Sequence, residues 1–393
     1  MLGTEKAMIP YGRQSISETD IQAVVDVLKS DFLTQGPAVP AFEQALASYC
    51  GTAHAVAVHN ATAALHIACL ALDVGPGDSV WTSPITFVAS ANCALYCGAG
   101  IDFVDIDPRT FNMDVDALAA KLEEAERNGR LPKVVIPVHM AGQSCDMATI
   151  ADLAERYGFK VIEDASHAVG ARYRDEPVGN CRYSAITIFS FHPVKIITTA
   201  EGGVALTNDA NLAARMAMLR THGITRDPDL MRQDPDGPWY YEQTDLGFNY
   251  RMTEMQAALG LSQMTRLDAF VAKRRELVAW YEHALAGLPL SRPWQHPDTL
   301  SSWHLYVVRI NLQRNSVSHR GVFERLRELG IGVNLHYIPV YLQPYYHALG
   351  FRRGHCPEAE RYYGEAISLP LFADLKESEQ TQVVTSLRTA MAV

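Results

Sequence analysis

Residues 160–207 read KVIEDASHAVGARYRDEPVGNCRYSAITIFSFHPVKIITTAEGGVALT, and three apolar runs inside them, KVIED, SAITIFSF and GVALT, decide the fold. Each is short, rich in β-branched residues and bounded by turn formers, the pattern of a strand buried on both faces. Runs of the same kind recur upstream as HAVAV (54–58), SVWTS (79–83), IDFVDID (101–107) and KVVIPVH (133–139). Between them, residues 62–72, 114–128 and 147–157 repeat apolar side chains at helical spacing, and 209–221 do so after the last run. Strands alternating with helices predict an α/β fold with a largely parallel sheet over residues 54–207.

After Thr253 the pattern changes to TEMQAALGLSQMTRLDAFVAKRRELVAWYEHAL (253–285), which reads as one long helical stretch joining a large unit to a second one. The remainder offers a strand at 302–310, a helix at 318–329 and a Gly330/Gly332 turn into a strand-like 333–337, a small α+β unit. The expected division is a large α/β domain over 1–253 that includes the N-terminal segment, a connecting helix region over 254–286, and a small domain over 287–393. The polar stretch 225–241, holding Pro228, Pro235 and Pro238, reads as a surface loop near a site or a partner.

Composition narrows the function classes. A chain of 393 residues with 48% apolar and 20% charged residues is ordinary globular material, large enough to fold without disulfide staples. The formal charge of −10 and the lack of any lysine- and arginine-rich block point away from nucleic acid. Residues 1–14 have no apolar core of the leader type, and the best apolar run, 61–72, is too short to span a bilayer, so a cytoplasmic protein without a membrane partner is expected. The seven scattered cysteines read as ordinary thiols, with no metal site.

The chemistry concentrates where the runs end. Lys195 follows SAITIFSF in Ser190-Phe191-His192-Pro193-Val194-Lys195, and the carboxyl ends of strands in an α/β sheet are where ligands bind. An amine in a partly desolvated pocket is a Schiff-base nucleophile; the plain alternative is a surface lysine. Asp164 ends KVIED and is placed either to cap a helix or to face a pyridinium nitrogen, which pyridoxal 5′-phosphate (PLP) requires to act as an electron sink. His167, three residues on, can hydrogen-bond the phenolic oxygen of such a ring. The stretch His59-Asn60-Ala61-Thr62-Ala63 passes from strand to helix, where free N–H groups and the Thr62 hydroxyl suit a phosphate, with Ser190 adding a second hydroxyl. Phe87 is either a core aromatic or a lid stacked on a flat ring.

In combination these motifs resemble the sugar-nucleotide aminotransferases of the DegT family, which have the aspartate-aminotransferase fold (fold type I). The resemblance covers essentially the whole chain. It is carried by Thr34-Gln35-Gly36-Pro37, Asn60 to His66, Pro84-Ile85-Thr86-Phe87, Pro137 to Gly142, Glu163-Asp164-Ala165, the Ser190 to Lys195 hexapeptide, Glu201-Gly202-Gly203 and Gly247 to Met252. It implies that Lys195 is the Schiff-base lysine and that Asp164 pairs with the pyridine nitrogen. Thr62, Ala63 and Ser190 would hold the phosphate, Phe87 would cover the ring, and His167 would address its phenolic oxygen. It also implies that Asn249 reaches the phosphate of a second subunit, making a homodimer with shared active sites, and that pyridoxamine 5′-phosphate forms during turnover. His167 stands where many relatives carry glutamine, and Ala200 where glycine is usual.

Ser-Phe-His-Pro-Val-Lys (190–195) and His-Tyr-Ile-Pro-Val-Tyr (336–341) look most like the pseudaminic acid branch of that family. That branch aminates C4 of a UDP-4-keto-6-deoxy-N-acetylhexosamine with L-glutamate, giving UDP-4-amino-4,6-dideoxy-N-acetyl-β-L-altrosamine. Competing readings are amination at C3 or C4 of another UDP- or dTDP-keto-deoxysugar, and a PLP-binding sensor without turnover. Arg13, Arg226 and Arg251 are candidates to offset the diphosphate, and Tyr11, His192, His336 and Tyr337 to line the sugar pocket.

Overall fold

The computed structural model describes residues 8–314 and 316–392, so residues 1–7 of the stretch weighed as a leader lie outside the described residues. Seven strands form the central sheet: β1 (His54–Val58), β2 (Ser79–Thr82), β3 (Gly100–Phe103), β4 (Val134–Ile136), β5 (Lys160–Asp164), β6 (Ile186–Ser190) and β7 (Gly203–Thr207). Their order is β1-β7-β6-β5-β4-β2-β3; β7 runs antiparallel to both neighbours and every other pairing is parallel. Each of the seven apolar runs expected over residues 54–207 lies in this mixed, mostly parallel sheet.

Successive side chains point to opposite faces, and both faces are covered. Val58, Val80, Ile162 and Ile188 pack against helices Ala61–Ala71, Ala89–Tyr96 and Ala210–Leu219. The alternate residues Ala57, Phe189 and Leu206 meet helix Ala38–Cys50, and Trp81, Val135 and Val161 meet helices Val115–Arg127 and Met147–Tyr157. Each fully buried aliphatic or aromatic side chain contributes about 1.5–3 kcal/mol. Asn60, Asp114, Asp146 and Asp209 begin their helices by accepting N–H bonds of the first turn, worth about 1 kcal/mol apiece.

Three features depart from the sequence expectation. The stretch 253–285 is two helices, Glu254–Met264 and Leu267–Ala284. At the break, buried Asp20 accepts from Ser262 Oγ (2.6 Å) and Gln263 Nε2 (2.7 Å) and pairs with Arg266, while Thr265 Oγ1 takes the Ser262 carbonyl (2.7 Å). Side-chain bonds thus replace the helical ladder where the first helix, Glu18–Leu28, docks. Second, the first described strand of the N-terminal segment does not stay with the large unit. Ile9–Pro10 pairs in parallel with Ile331–Gly332, and Ile9 is buried in the core of the C-terminal unit. Third, residues 333–337 form no strand, because the strand pairing ends at Gly332 and Asn334 makes only an isolated bridge to Ser368. The loop 225–241 lies at the surface, as expected, and closes an arm in which Ile224–Thr225 pairs with Glu242–Gln243, leaving Trp239 and Leu230 exposed at its end.

Helix Leu267–Ala284 spans two cores. Leu267, Phe270 and Val271 pack under the sheet, whereas Leu277, Val278 and Tyr281 belong to the C-terminal core with the strands Tyr306–Ile310 and Ala366–Leu369. The seven cysteines are all free thiols. Among the described residues no helix is long and apolar enough to cross a membrane.

Candidate active site

The sheet register gathers chemistry at one edge. Asp164, the last residue of β5, lies opposite Ile188 of β6, and Gly203, the first of β7, lies opposite both Ser190 and Val58. The carboxyl ends of β1, β5 and β6 therefore meet, and a cavity of about 580 Å³ opens there. Of the residues singled out in the sequence, Thr62, Phe87, Asp164, His167, Ser190, His192 and Lys195 line it, together with Tyr11, His336 and Tyr337 from the segments facing the sheet.

The helix Ala61–Ala71 points its N-terminus into this cavity. Asn60 Oδ1 accepts the N–H of Ala63 at 2.8 Å, so Ala63, expected to hold phosphate, has its N–H already engaged. The N–H groups of Ala61 and Thr62 and the hydroxyls of Thr62 and Ser190 have no partner among the described residues. Gly203 permits this arrangement, since a Cβ there would stand 2.5 Å from Ala61 N and from the Asn60 carbonyl carbon. Free N–H groups at a helix start beside two free hydroxyls make an anion cup.

Asp164 is held as an acceptor. Ser90 Oγ donates to its Oδ2 at 2.5 Å and the Ser166 N–H to its Oδ1 at 3.1 Å, while Ser90 itself is tied to Thr86 Oγ1 at 2.7 Å. On the far side of β5, buried Glu163 accepts from His139 Nε2 (2.7 Å), Ser184 Oγ (2.5 Å) and Thr187 Oγ1 (3.1 Å). Burial alone would raise this carboxyl, but those donors outweigh it and keep Glu163 below the usual range. The Cys145 N–H donates to His139 Nδ1 (3.1 Å), which leaves the ring proton on Nε2, toward Glu163. His139 N–H also bonds the Asp164 carbonyl (3.0 Å), which fastens this network to the strand end.

Lys195 follows β6, its N–H on the His192 carbonyl at 2.9 Å, and its amine has no ion-pair or hydrogen-bond partner among the described residues. Burial brings its amine down to about 8, against an opposing pull from Asp164, so a substantial neutral fraction exists near physiological pH.

The opposite wall is hydrogen-bonding but uncharged. Ala141 N–H donates to His167 Nδ1 at 3.3 Å, which leaves the His167 proton on Nε2, 3.1 Å from Tyr337 Oη. Asn334 Nδ2 donates to His336 Nε2 at 3.3 Å, so His336 gives its Nδ1 proton to Ser368 Oγ at 2.8 Å. Burial pushes His167 well below its ordinary range and, with the nearby Lys195 charge, brings His336 to about 3. Burial likewise raises Tyr11 and Tyr337, so each phenol keeps its proton. Phe87 is exposed at the rim, its ring centroid 6.4 Å from that of Tyr337.

Four other predicted residues lie outside the cavity: Arg13, Arg226 and Asn249 are exposed, and Arg251 is partly buried beside β1. Arg226 sits over the Tyr241 ring on the arm, and Asn249 bridges to Thr221. Sequence reading missed Ser90, His304, Asn334 and Glu201, all of which line the cavity. Ser90 had one available signal, its position three residues after Phe87 at the start of a helix, and Glu201 had another, its place in the Glu201-Gly202-Gly203 motif; nothing in the sequence marks His304 or Asn334.

These walls fit PLP: the anion cup suits a phosphate, Asp164 a protonated ring nitrogen, and Lys195 an aldehyde. Comparison with known proteins agrees. The family model described as DegT/DnrJ/EryC1/StrS aminotransferase family matches residues 14–388. The spore coat polysaccharide biosynthesis protein SpsC of Bacillus subtilis (strain 168) is 38% identical over 391 residues, covering 99% of this chain and 98% of that protein. Among solved structures, PseC of Helicobacter pylori, an aminotransferase involved in the biosynthesis of pseudoaminic acid, superposes with a TM-score of 0.89 at 30% identity, covering 98% of this chain and 99% of its own. Spr1654 of Streptococcus pneumoniae in its PMP-form gives a TM-score of 0.88 at 30% identity over 98% of this chain and 99% of that one, and it is also known in a PLP-form. With its cup, strand-end carboxylate and unpaired lysine at the sheet edge, the chain belongs to the DegT/DnrJ/EryC1/StrS aminotransferase family and is a PLP-dependent sugar aminotransferase.

Proposed function

We propose that this enzyme aminates C4 of a UDP-4-keto-6-deoxy-N-acetylhexosamine with L-glutamate as donor, giving UDP-4-amino-4,6-dideoxy-N-acetyl-β-L-altrosamine. One observation carries the reading: an unpaired Lys195 amine shares its cavity with a facing wall of uncharged phenols and imidazoles, a surface suited to sugar hydroxyls. The likeness to PseC and the Ser190 to Lys195 hexapeptide support the pseudaminic acid branch.

Bound PLP supplies the electron sink and carries the amine between the two half-reactions. Ala61 and Thr62 hold its phosphate with their N–H groups, helped by the Thr62 and Ser190 hydroxyls, and Phe87 covers one side of the ring. Asp164 keeps a proton on the ring nitrogen, and the hydrogen bonds from Ser90 and Ser166 favour its ionised form. His167 and Tyr337, linked to one another, present a phenol proton to the site. Through the neutral fraction of its amine, which burial enlarges, Lys195 Nζ takes the proton from Cα of glutamate and, in the second half-reaction, delivers a proton to C4 of the sugar.

The charge inventory supports shared sites. Lys195 is the one cationic side chain lining the cavity among the described residues, yet a nucleotide diphosphate needs several. We assign that work to the partner subunit's Arg226, on the arm whose exposed Trp239 offers an apolar contact, and to the partner's Arg251, with Arg13 at the near rim, and we assign the partner's Asn249 to the cofactor phosphate. The enzyme is accordingly read as a cytoplasmic homodimer.

The test is spectroscopic. Protein in the pyridoxamine form is mixed separately with the L-arabino and D-xylo epimers of the UDP-4-keto-6-deoxy sugar. Return of the pyridoxal absorbance with the L-arabino epimer alone is expected. Return with the D-xylo epimer alone moves the enzyme to another amino-sugar route, and no return with either refutes the sugar assignment.

A further inference from the structure

Four imidazoles line the cavity; His192 is exposed, and the three buried ones differ in one respect. His167 has both ring nitrogens engaged, by Ala141 N–H and Tyr337 Oη, and His336 has both engaged, by Asn334 and Ser368. His304 has neither. It is only 3% exposed, its Nδ1 is buried without a partner, and its Nε2 bonds no described residue. A buried polar group left unpaired is costly, and native structures retain one chiefly where a ligand or ordered water completes it.

The position of His304 is fixed by its surroundings. Arg274, itself buried, donates from Nη1 to the carbonyls of Trp303 (3.1 Å), His304 (3.3 Å) and Leu371 (3.0 Å), pinning the backbone just before the strand Tyr306–Ile310. The His304 ring lies 4.4 Å from that of His167, centroid to centroid, at an interplanar angle of 46°. Burial and the neighbouring positive charges of Lys195 and Arg274 keep the ring neutral, so it offers one donor and one acceptor.

That pairing selects the ligand group. The phosphate cup is built from other elements, at the start of helix Ala61–Ala71, and a carboxylate calls for a cationic fork that this wall lacks. A hydroxyl or carbonyl oxygen matches a neutral imidazole. We propose that His304 is a specificity-determining residue whose imidazole hydrogen-bonds a ring hydroxyl or the keto oxygen of the hexose. This rests on the reading of the cavity as a keto-sugar site.

The experiment uses the holoenzyme and its variants His304→Leu, His304→Gln and His304→Asn. Glutamine puts its amide near the Nε2 position and asparagine near Nδ1. Four quantities are measured: the calorimetric Kd for the UDP-4-amino-sugar product, kcat/KM of the sugar half-reaction, the rate of the glutamate half-reaction, and the cofactor absorbance maximum. The wild type is first offered the L-arabino and D-xylo UDP-4-keto sugars and dTDP-4-keto-6-deoxyglucose, and whichever it aminates, with its amino product, is carried through.

Loss of one hydrogen bond predicts about a tenfold rise in Kd and a matching fall in sugar kcat/KM for His304→Leu, several-fold greater than any effect on the glutamate step. One of the two amides should recover most of that loss. Should His304→Leu misfold, a clear difference between the two amide variants still supports the contact. Sugar binding within twofold of wild type in all folded variants overturns it, as does a shifted absorbance maximum with unchanged sugar Kd, which would put the imidazole on the cofactor. A wild type that aminates none of the three sugars overturns the function reading and this inference with it.

Discussion

Replacing Gly203 by alanine perturbs the cofactor cup without removing any group that touches the cofactor. A Cβ at this position stands 2.5 Å from Ala61 N and the Asn60 carbonyl carbon, whereas ordinary van der Waals contact begins near 3.4 Å. The neighbours are backbone atoms of a capped helix start, so no side chain can swing aside and the helix N-terminus must retreat by about 0.9 Å. A retreat of that size stretches an N–H to phosphate bond from about 2.9 Å to nearly 4 Å, outside hydrogen-bond range. Two charge-assisted bonds are at stake, from Ala61 and Thr62. Even partial loss, about 3 kcal/mol in total, weakens PLP binding by roughly a hundredfold. Overpacking should also cost the apo-protein about 1–3 kcal/mol. The assay is titration of apo-protein with PLP, followed by absorbance, beside urea unfolding of the apo form. Gly75→Ala is the control, since a Cβ there meets nothing within 4 Å and should change stability by about 0.5 kcal/mol or less. Binding of PLP by Gly203→Ala within threefold of wild type would refute the cup geometry.

Lys195→Ala should abolish multiple turnover, and steady product formation by that variant ends the assignment of the catalytic amine. Because the folded-state amine of Lys195 is depressed from 10.5 to about 8, the unfolded chain binds more protons between those values, so apo-protein stability gains from this group as pH rises from 8 to 10.5. The gain is on the order of 2–3 kcal/mol and should be missing from Lys195→Met, as paired urea titrations across that range will read. Asp164→Asn should retain PLP poorly and slow the glutamate half-reaction by orders of magnitude, while Ser90→Ala, which loses the 2.5 Å donor to Asp164 and the contact with Thr86 Oγ1, should do the same more mildly; a Ser90→Ala enzyme at wild-type rate would show that Asp164 needs no such support. Glu163→Gln should destabilise the fold by about 2–4 kcal/mol in chemical unfolding, since it breaks a buried acceptor shared by His139, Ser184 and Thr187. With Glu163 held below its usual range, its stabilisation is present above about pH 4.5 and fades on acidification, so the gap between wild type and variant should narrow below that pH.

The parts of this protein legible in its sequence are those whose signal is local. Seven strands announced themselves as short β-branched runs because both faces of the sheet are covered and most of their residues are apolar. Asp164, Ser190 and Lys195 were legible because each sits at or just past a strand end, where the edge of an α/β sheet gathers ligand-binding groups whatever the strand order. The order itself, with antiparallel β7 between β1 and β6, carries no local mark, yet it is this order that sets Gly203 against Asn60 and so shapes the cup. Misreadings arose where a distant residue outweighed local propensity. The helical stretch after Thr253 breaks because Asp20, more than 240 residues earlier, collects Ser262, Gln263 and Arg266 at one point, and no helix scale registers such a partner. Ile9–Pro10 leaves its own half of the chain because Ile331–Gly332 presents an open edge and a core into which Ile9 fits. The wall opposite Lys195 illustrates the limit most sharply. Tyr11, His167, His304 and His336 come from four separate segments, and a histidine in Ser-Ser-Trp-His reads as nothing in particular. What distinguishes His304 is that every other buried imidazole around the cavity has its protein partners and it does not, a property of the assembled site that exists only once the chain is folded.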